Sequence, residues 1–272
     1  MPFDRTARNM GICGAAVLAA FLVSGVLAPW ISPHDPYRGH LARRLEPPSA
    51  SFPLGTDALG RCVVSRLLHG TLVSLGAALA ASAASFLLGA AVGLAAGLAG
   101  PRCSGLLAMG IDAALALPAL LLAVALAGLM SPSLLSVVAA LSLVGWPWWA
   151  RWLRALVLEA RHREFVHAAV ALGVSGRRIL VRYLLPQILP PAAVAFAVRT
   201  GAMLVAVSGL SYLGLGAQPP QPEWGRMLEE SRLHLGRAPW LMIAPGTAIT
   251  LCVAACQMIA ESLRGRARPE GV

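Results

Sequence analysis

The chain has 272 residues, 57% of them hydrophobic and only 12% charged, with a mean hydropathy of +0.71 and a formal net charge of +10. A soluble domain carries about twice that charged fraction, so the composition excludes an ordinary soluble protein and points to an integral membrane protein. The apolar runs are long and continuous, which excludes the short alternating strands of a membrane barrel and leaves transmembrane helices.

Arg5 and Arg8 precede an apolar run over 11–30. About 18 to 20 apolar residues are enough to span, so 1–31 reads as a cytoplasmic tail and a retained first helix. The same pattern fits a signal peptide with Val26-Leu27-Ala28 as its cleavage site. Residues 32–71 follow as a polar, proline-rich segment, expected outside the cytoplasm. Further spans are predicted at 72–99, 106–130, 134–150, 191–213 and 240–263, with Pro118 kinking the third span. The expected fold is thus all-α with six transmembrane helices: a five-helix core over 72–263, a loop at 151–190 and a tail at 264–272.

Six spans put both termini on one side. With the N-terminus in the cytoplasm, thirteen arginines fall inside and eight outside, the outer ones partly offset by six acids. That bias predicts N-in and C-in, and explains the net positive charge by topology rather than by nucleic acid. Every basic residue is arginine. A GxxxxGK[ST] phosphate loop needs its lysine on the phosphates, so nucleotide chemistry falls to a partner.

The second span carries a small residue at every fourth position: Ala77, Ala81, Ser85, Gly89, Gly93 and Gly97. Such a stripe lets helix backbones approach closely and predicts a packing face. The five cysteines include no CxxC pair, and Cys252 and Cys256, four apart in an apolar run, read as small buried hydrophobes. Asp112 lies near the inner end of the third span, where pairing with an arginine is expected. The six histidines all fall outside the predicted spans, so no histidine-lined metal path is expected. "GWPWWARW" at 145–152 reads as an aromatic belt anchoring the inner interface.

The loop at 151–190 is the least lipid-like part of the core. Phe165, Ala168, Ala169 and Leu172 recur at helical spacing, and Gly173 to Gly176 form a turn with Ser175 placed as an N-cap. Ile179, Leu180, Tyr183 and Leu184 make a second apolar face, with Arg177 and Arg178 projecting at the turn and Pro186 ending the helix. Two short amphipathic helices on the cytoplasmic side suit either the lipid interface or docking of a cytoplasmic protein by helix-in-groove recognition.

"HAAVALGVSGRRILVRYLLP" resembles the coupling motif of ABC importer permeases, in which Glu-Ala-Ala is followed by glycine and then Leu-Pro. Ala168, Ala169, Gly173, Leu185 and Pro186 match, and His167 stands where glutamate is usual. "PLGTDALGRCVVSRLLHG" (53–70), "IDAALALPALLLAVAL" (111–126) and "SYLGLGAQPPQPEWGRML" (211–228) resemble the C-type subunit of dipeptide, oligopeptide and nickel permeases, with Cys62 at a usual aspartate. The resemblance runs nearly end to end. It implies a type I ABC importer permease, a pore subunit without cofactor or catalytic residues. Its partners would be a homologous second permease, two ATPase subunits and an extracytoplasmic solute-binding protein, with peptides, nickel or metal chelates as cargo. The turn from Gly173 to Arg178 would sit in a cleft of an ATPase subunit.

Other residues qualify this picture. Arg199 lies about eight residues into the fifth span, roughly 12 Å deep at 1.5 Å per residue. It either lines the pathway and favours anionic cargo or snorkels to the inner surface. Residues 219–235 read as an outer loop with a possible short helix whose weak inward face is Met227, Leu228 and Ser231. "GLSYLG" (209–214) resembles a serine nucleophile motif, but Tyr212 fits it poorly and no histidine is expected at that depth. An ion-driven secondary transporter would need acids at the membrane midplane, and only Asp112 offers itself, off that plane.

Overall fold

Leucine- and alanine-rich runs fold as helices here because those side chains lose little rotamer freedom, and lipid leaves backbone groups no other partner. The computed structural model describes residues 2–267. Its helices are α1 (Pro2–Ile31), α2 (Val63–Leu98), α3 (Pro101–Leu115), α4 (Ala119–Leu129), α5 (Leu134–Arg161), α6 (Glu164–Ala171), α7 (Gly176–Ile179), α8 (Leu185–Tyr212), α9 (Trp224–Ser231) and α10 (Trp240–Ala267). Five of them, α1, α2, α5, α8 (continuous with α7) and α10, are long and apolar enough to cross a membrane. Together α3 and α4 make a sixth, broken span, bent by 79°.

Several boundaries differ from those expected. Helix α2 begins at Val63, inside the segment read as an extracytoplasmic loop, so His69 lies within a helix and not before it. The charges that made 61–66 look like loop are hidden by partners on other elements. Pro118 breaks the third span rather than bending it gently. It is the N-cap of α4, with the break over 116–118, since it has no N–H to give and disfavours helical backbone at Leu117. Helix α5 does not end at residue 150 but continues to Arg161, because nothing between is a helix breaker. Pro186 does not end the second amphipathic helix. A π-turn over Leu180–Leu184, in which Leu185 N–H donates to the Leu180 carbonyl, widens the helix just before the proline. The helical path then runs unbroken from Gly176 to Tyr212. The expected tail is helical as far as Ala267, and 268–272 lie outside the described residues.

Three apolar clusters stack along the bundle. The outer one joins Val63, Trp224, Met227, Leu241 and Cys252. The middle one joins Ala77, Ala81, Val137, Leu141, Met203 and Leu210. The inner one joins Leu153, Val157, Val166, Ile179, Leu184 and Ile188. Cys252 and Cys256 are both buried, as small hydrophobes would be. Helix α1 packs along α10, with Gly11 against Ser262 and Gly14 against the Ala255 carbonyl.

All six residues of the small-residue stripe are buried in α2. A Cβ on Gly89 would meet Trp149 Cβ and the Trp146 carbonyl oxygen, the latter at 2.6 Å. One on Gly93 would lie 2.6 Å from the Ala150 carbonyl oxygen, and one on Gly97 2.7 Å from Val157 Cβ. The α2–α5 contact is therefore backbone against backbone. Gly93→Ala should destabilise the protein by about 1–3 kcal/mol, the usual penalty of overpacking. Gly76→Ala on the same helix meets nothing within 4 Å and should be neutral or gain about 0.5–1 kcal/mol. Thermal melting of the two variants in detergent checks both.

Candidate functional site

The element expected in the cytoplasm is built on the C-terminal extension of α5, which Arg161 ties to α2 by donating from Nη1 to the Gly97 carbonyl at 2.7 Å. Helix α6 follows and ends where Gly173 takes φ +74°, a left-handed backbone open to glycine. Val174 N–H donates to the Ala169 carbonyl at 3.1 Å, closing the helix in a Schellman turn. Ser175 occupies the N-cap position of α7, but its hydroxyl makes no cap hydrogen bond.

The expected apolar stripe on α6 divides. Ala169 faces inward beside Val166, into the inner cluster. Phe165, Ala168 and Leu172 face out, with Leu172 83% and Phe165 40% exposed. Phe165 stacks on Tyr183, their ring centroids 6.3 Å apart. His167, Gly173, Ser175, Gly176, Arg177, Arg178 and Pro186 are exposed on the same end of the bundle. The second face behaves as expected: Ile179 and Leu184 are buried, with Leu180 and Tyr183 packed beside them. Nothing in the inner bundle covers Leu172 or Val181, which is 56% exposed.

Arg199 projects from α8 over the ring of Trp148 on α5, its guanidinium carbon 4.4 Å from the centroid. Its Nε is buried and makes no hydrogen bond. Two cavities meet at this pair, and among the described residues no acid lines either. The outer is about 310 Å³, walled by Leu120, Ala123, Leu141, Val144 and Met203. The inner is about 380 Å³, walled by Trp152, Pro191, Val194, Val198 and Arg264. Trp149, read with its neighbours as an interfacial belt, is instead fully buried against Phe86 and Phe196. Asp112 does meet an arginine, Arg151, but at 3.7 Å with both side chains exposed, an arrangement worth little.

At the outer end the structure gathers charges that the sequence scattered. Arg61 donates from Nε to Asp57 at 2.6 Å and from Nη2 to Glu230 at 2.8 Å. Arg66, only 1% exposed, donates from Nη2 to the same Glu230 oxygen at 3.1 Å. Arg226 joins from α9 through Glu229 and Glu230. These groups line a cavity of about 260 Å³ with Leu59, Pro219 and Met227. The spacing of Asp57, Arg61 and Arg66 was visible in sequence; the acid that joins them, Glu230, lies more than 160 residues away.

Glu223 caps α9, accepting from Gly225 N–H at 2.9 Å and Arg226 N–H at 2.8 Å. Ser74 of α2 donates to the same carboxyl at 3.1 Å and accepts from Trp224 N–H at 2.9 Å. Met227 and Ser231 are buried and Leu228 is partly buried, the inward face read for this loop.

Comparison with known proteins agrees with this layout. Residues 72–269 match the family model described as the binding-protein-dependent transport system inner membrane component. The chain is 34% identical to the dipeptide transport system permease protein DppC of Alkalihalophilus pseudofirmus, over 98% of this chain and 88% of that one. It is 36% identical to the di/tripeptide transport system permease protein DppC of Pseudomonas aeruginosa, over 97% and 89%. It is 34% identical to the nickel transport system permease protein NikC of Escherichia coli K12, over 93% and 91%.

Two predictions follow from the outer cluster. Arg66→Ala removes one charged hydrogen bond from Glu230, which keeps Arg61 and Arg226, and should cost about 1.5–3 kcal/mol; the melting temperature in detergent reads it. Burial pushes the Glu223 carboxyl above the ordinary value of 4.5, and the backbone donors only partly oppose it. A carboxyl raised on folding stabilises most below 4.5 and loses that contribution as pH climbs through its raised value. Relative to Glu223→Gln, the wild-type chain should therefore melt progressively lower as pH rises from 4.5 toward neutrality.

Proposed function

The chain belongs to the family of binding-protein-dependent transport system inner membrane components, and from that premise we propose that it forms half the pore of an ATP-driven importer of peptides, nickel or metal chelates. It is a multi-pass permease of the bacterial inner membrane, of the type I importer fold, and not itself an enzyme. ATP hydrolysis belongs to two separate ATPase subunits. A homologous second permease completes the pore, and an extracytoplasmic solute-binding protein delivers cargo. The arginine bias of the inner segments supports an N-in, C-in orientation. In this reading α1 is a retained span, and 32–62 with α9 forms the face toward the binding protein.

The observation that carries the proposal is the uncovered cytoplasmic face of α6 and α7. Leu172 and Phe165 stand exposed beside Arg177 and Arg178, on a helix held by a buried stripe and a glycine turn. An apolar anchor with a cationic rim suits a groove in a partner protein. Closure of the ATPase subunits would move this face, and the unbroken helix from Gly176 to Tyr212 would carry the displacement into the membrane. Alternating access then follows from rigid-body motion of the bundle.

Leu172→Glu should cut ATP-driven uptake into proteoliposomes and retention of the ATPase subunits by about tenfold or more, without lowering the melting temperature. His167→Glu should leave both intact, because the turn and apolar face do the docking. Uptake that continues without the ATPase subunits would overturn this reading in favour of an ion-driven carrier.

A further inference from the structure

We propose that Arg199 is a specificity-determining residue that receives a carboxylate of the cargo at the junction of the two cavities. This rests on the reading of the chain as a pore subunit and adds to it the chemical class of what passes.

The argument begins with position. Along α5 the sequence Leu141, Val144, Trp148, Trp152 runs from the outer cavity to the inner one. Along α8 the sequence Ala206, Met203, Arg199, Val194, Pro191 runs the same way. Trp148 and Arg199 line both, so the cation stands where one cavity gives way to the other. Both cavities fall in the size range of small-molecule sites. Their walls are otherwise aliphatic or aromatic, apart from Arg264 at the inner mouth, which is already paired with Glu261 at 3.0 Å.

The second strand is that no acid among the described residues pairs with Arg199. A guanidinium within a span is ordinarily held by an acid or backbone carbonyls. Arg199 has the face of Trp148 and a buried Nε with no acceptor. A planar fork with free donors in an apolar passage matches a carboxylate. Because the cation is shared with an aromatic face, the carboxylate is held weakly enough to leave, which conduction demands. The carboxylate can come from the C-terminus of a peptide or from an organic chelator of a metal.

The test uses the complete transporter in proteoliposomes with its binding protein. Four probes separate the sources: the dipeptide Ala-Phe, its C-terminal amide, Ni²⁺ with histidine, and Ni²⁺ with histidinamide. Uptake is divided by the measured occupancy of the binding protein, so that its own selectivity cancels. Arg199→Gln should reduce uptake of the carboxylate form by about tenfold, and Arg199→Lys much less. Uptake of the matching amide should stay the same in both variants. The pair that responds identifies the source. Equal uptake by wild type and Arg199→Gln overturns the proposal. So does an equal loss on carboxylate and amide, which would mark a pairing with the second permease. So too does a wild-type complex that hydrolyses ATP in response to its binding protein yet admits neither carboxylate probe. Failure of the wild-type chain to assemble with ATPase subunits would instead remove the pore-subunit reading beneath it.

Discussion

Helices α2 and α5 touch backbone to backbone, and at Gly89 and Gly93 no side chain fits between them. In lipid this contact cannot draw on the hydrophobic effect, so it depends on close van der Waals approach. Its consequences spread along α5. One turn of that helix places Trp149 against Phe86, which turns the adjacent Trp148 toward α8 and under Arg199. Further inward, Val157 seals against Gly97, and Arg161 bonds to the Gly97 carbonyl. The stripe on α2 therefore sets both the place of Arg199 beside Trp148 and the platform from which α6 and α7 hang.

The outer end is held differently. Asp57, Arg61, Arg66 and Glu230 tie the segment before α2 to α9, and Glu223 ties the start of α9 to Ser74. Buried ion pairs contribute little net stability, because desolvation offsets most of their attraction. Their geometry is nevertheless demanding. Two arginines converge on a single Glu230 oxygen, and a shift of α9 by one residue would leave both without that partner. The ionic contacts fix the register of the outer cap, while the apolar cluster around Trp224 and Met227 supplies the burial.

Sequence showed the class of fold, the number of apolar runs, the packing stripe and the pair of short helices after α5, because each rests on local periodicity. It did not show what depends on distant partners. Arg66 looked like a loop residue because its neutralising acid, Glu230, lies on another helix. Leu172 and Ala169 share a helical spacing, yet only Ala169 is covered, because the bundle beneath α6 is narrower than the stripe. Trp149 carried the composition of an interfacial anchor and became core, since Gly89 opposite leaves room for it. Pro186 looked like a stop because the rule against proline presumes α-geometry. A π-turn just before it removes the conflict.

That π-turn joins the two halves of the proposed function. The helix from Gly176 to Tyr212 carries the exposed Arg177 and Arg178 at its inner tip and Arg199 near its middle. A straight α-helix would transmit any displacement of the tip as rigid motion. A widened turn at Leu180–Leu184 interrupts the regular α ladder, and such turns recur at functional sites. Leu184 is fully buried there, so the turn is clamped on one side by the inner cluster and free on the other, where Val181 is exposed. Force applied at the tip would pivot about that clamp. The same motion that seats a partner against Leu172 would then tilt α8 against α5, and the contact it strains first is the one between Arg199 and Trp148. In the proposed reading, cargo recognition and energy input would meet in one helix, and the cation, with no acid among the described residues to lock it, would respond to both.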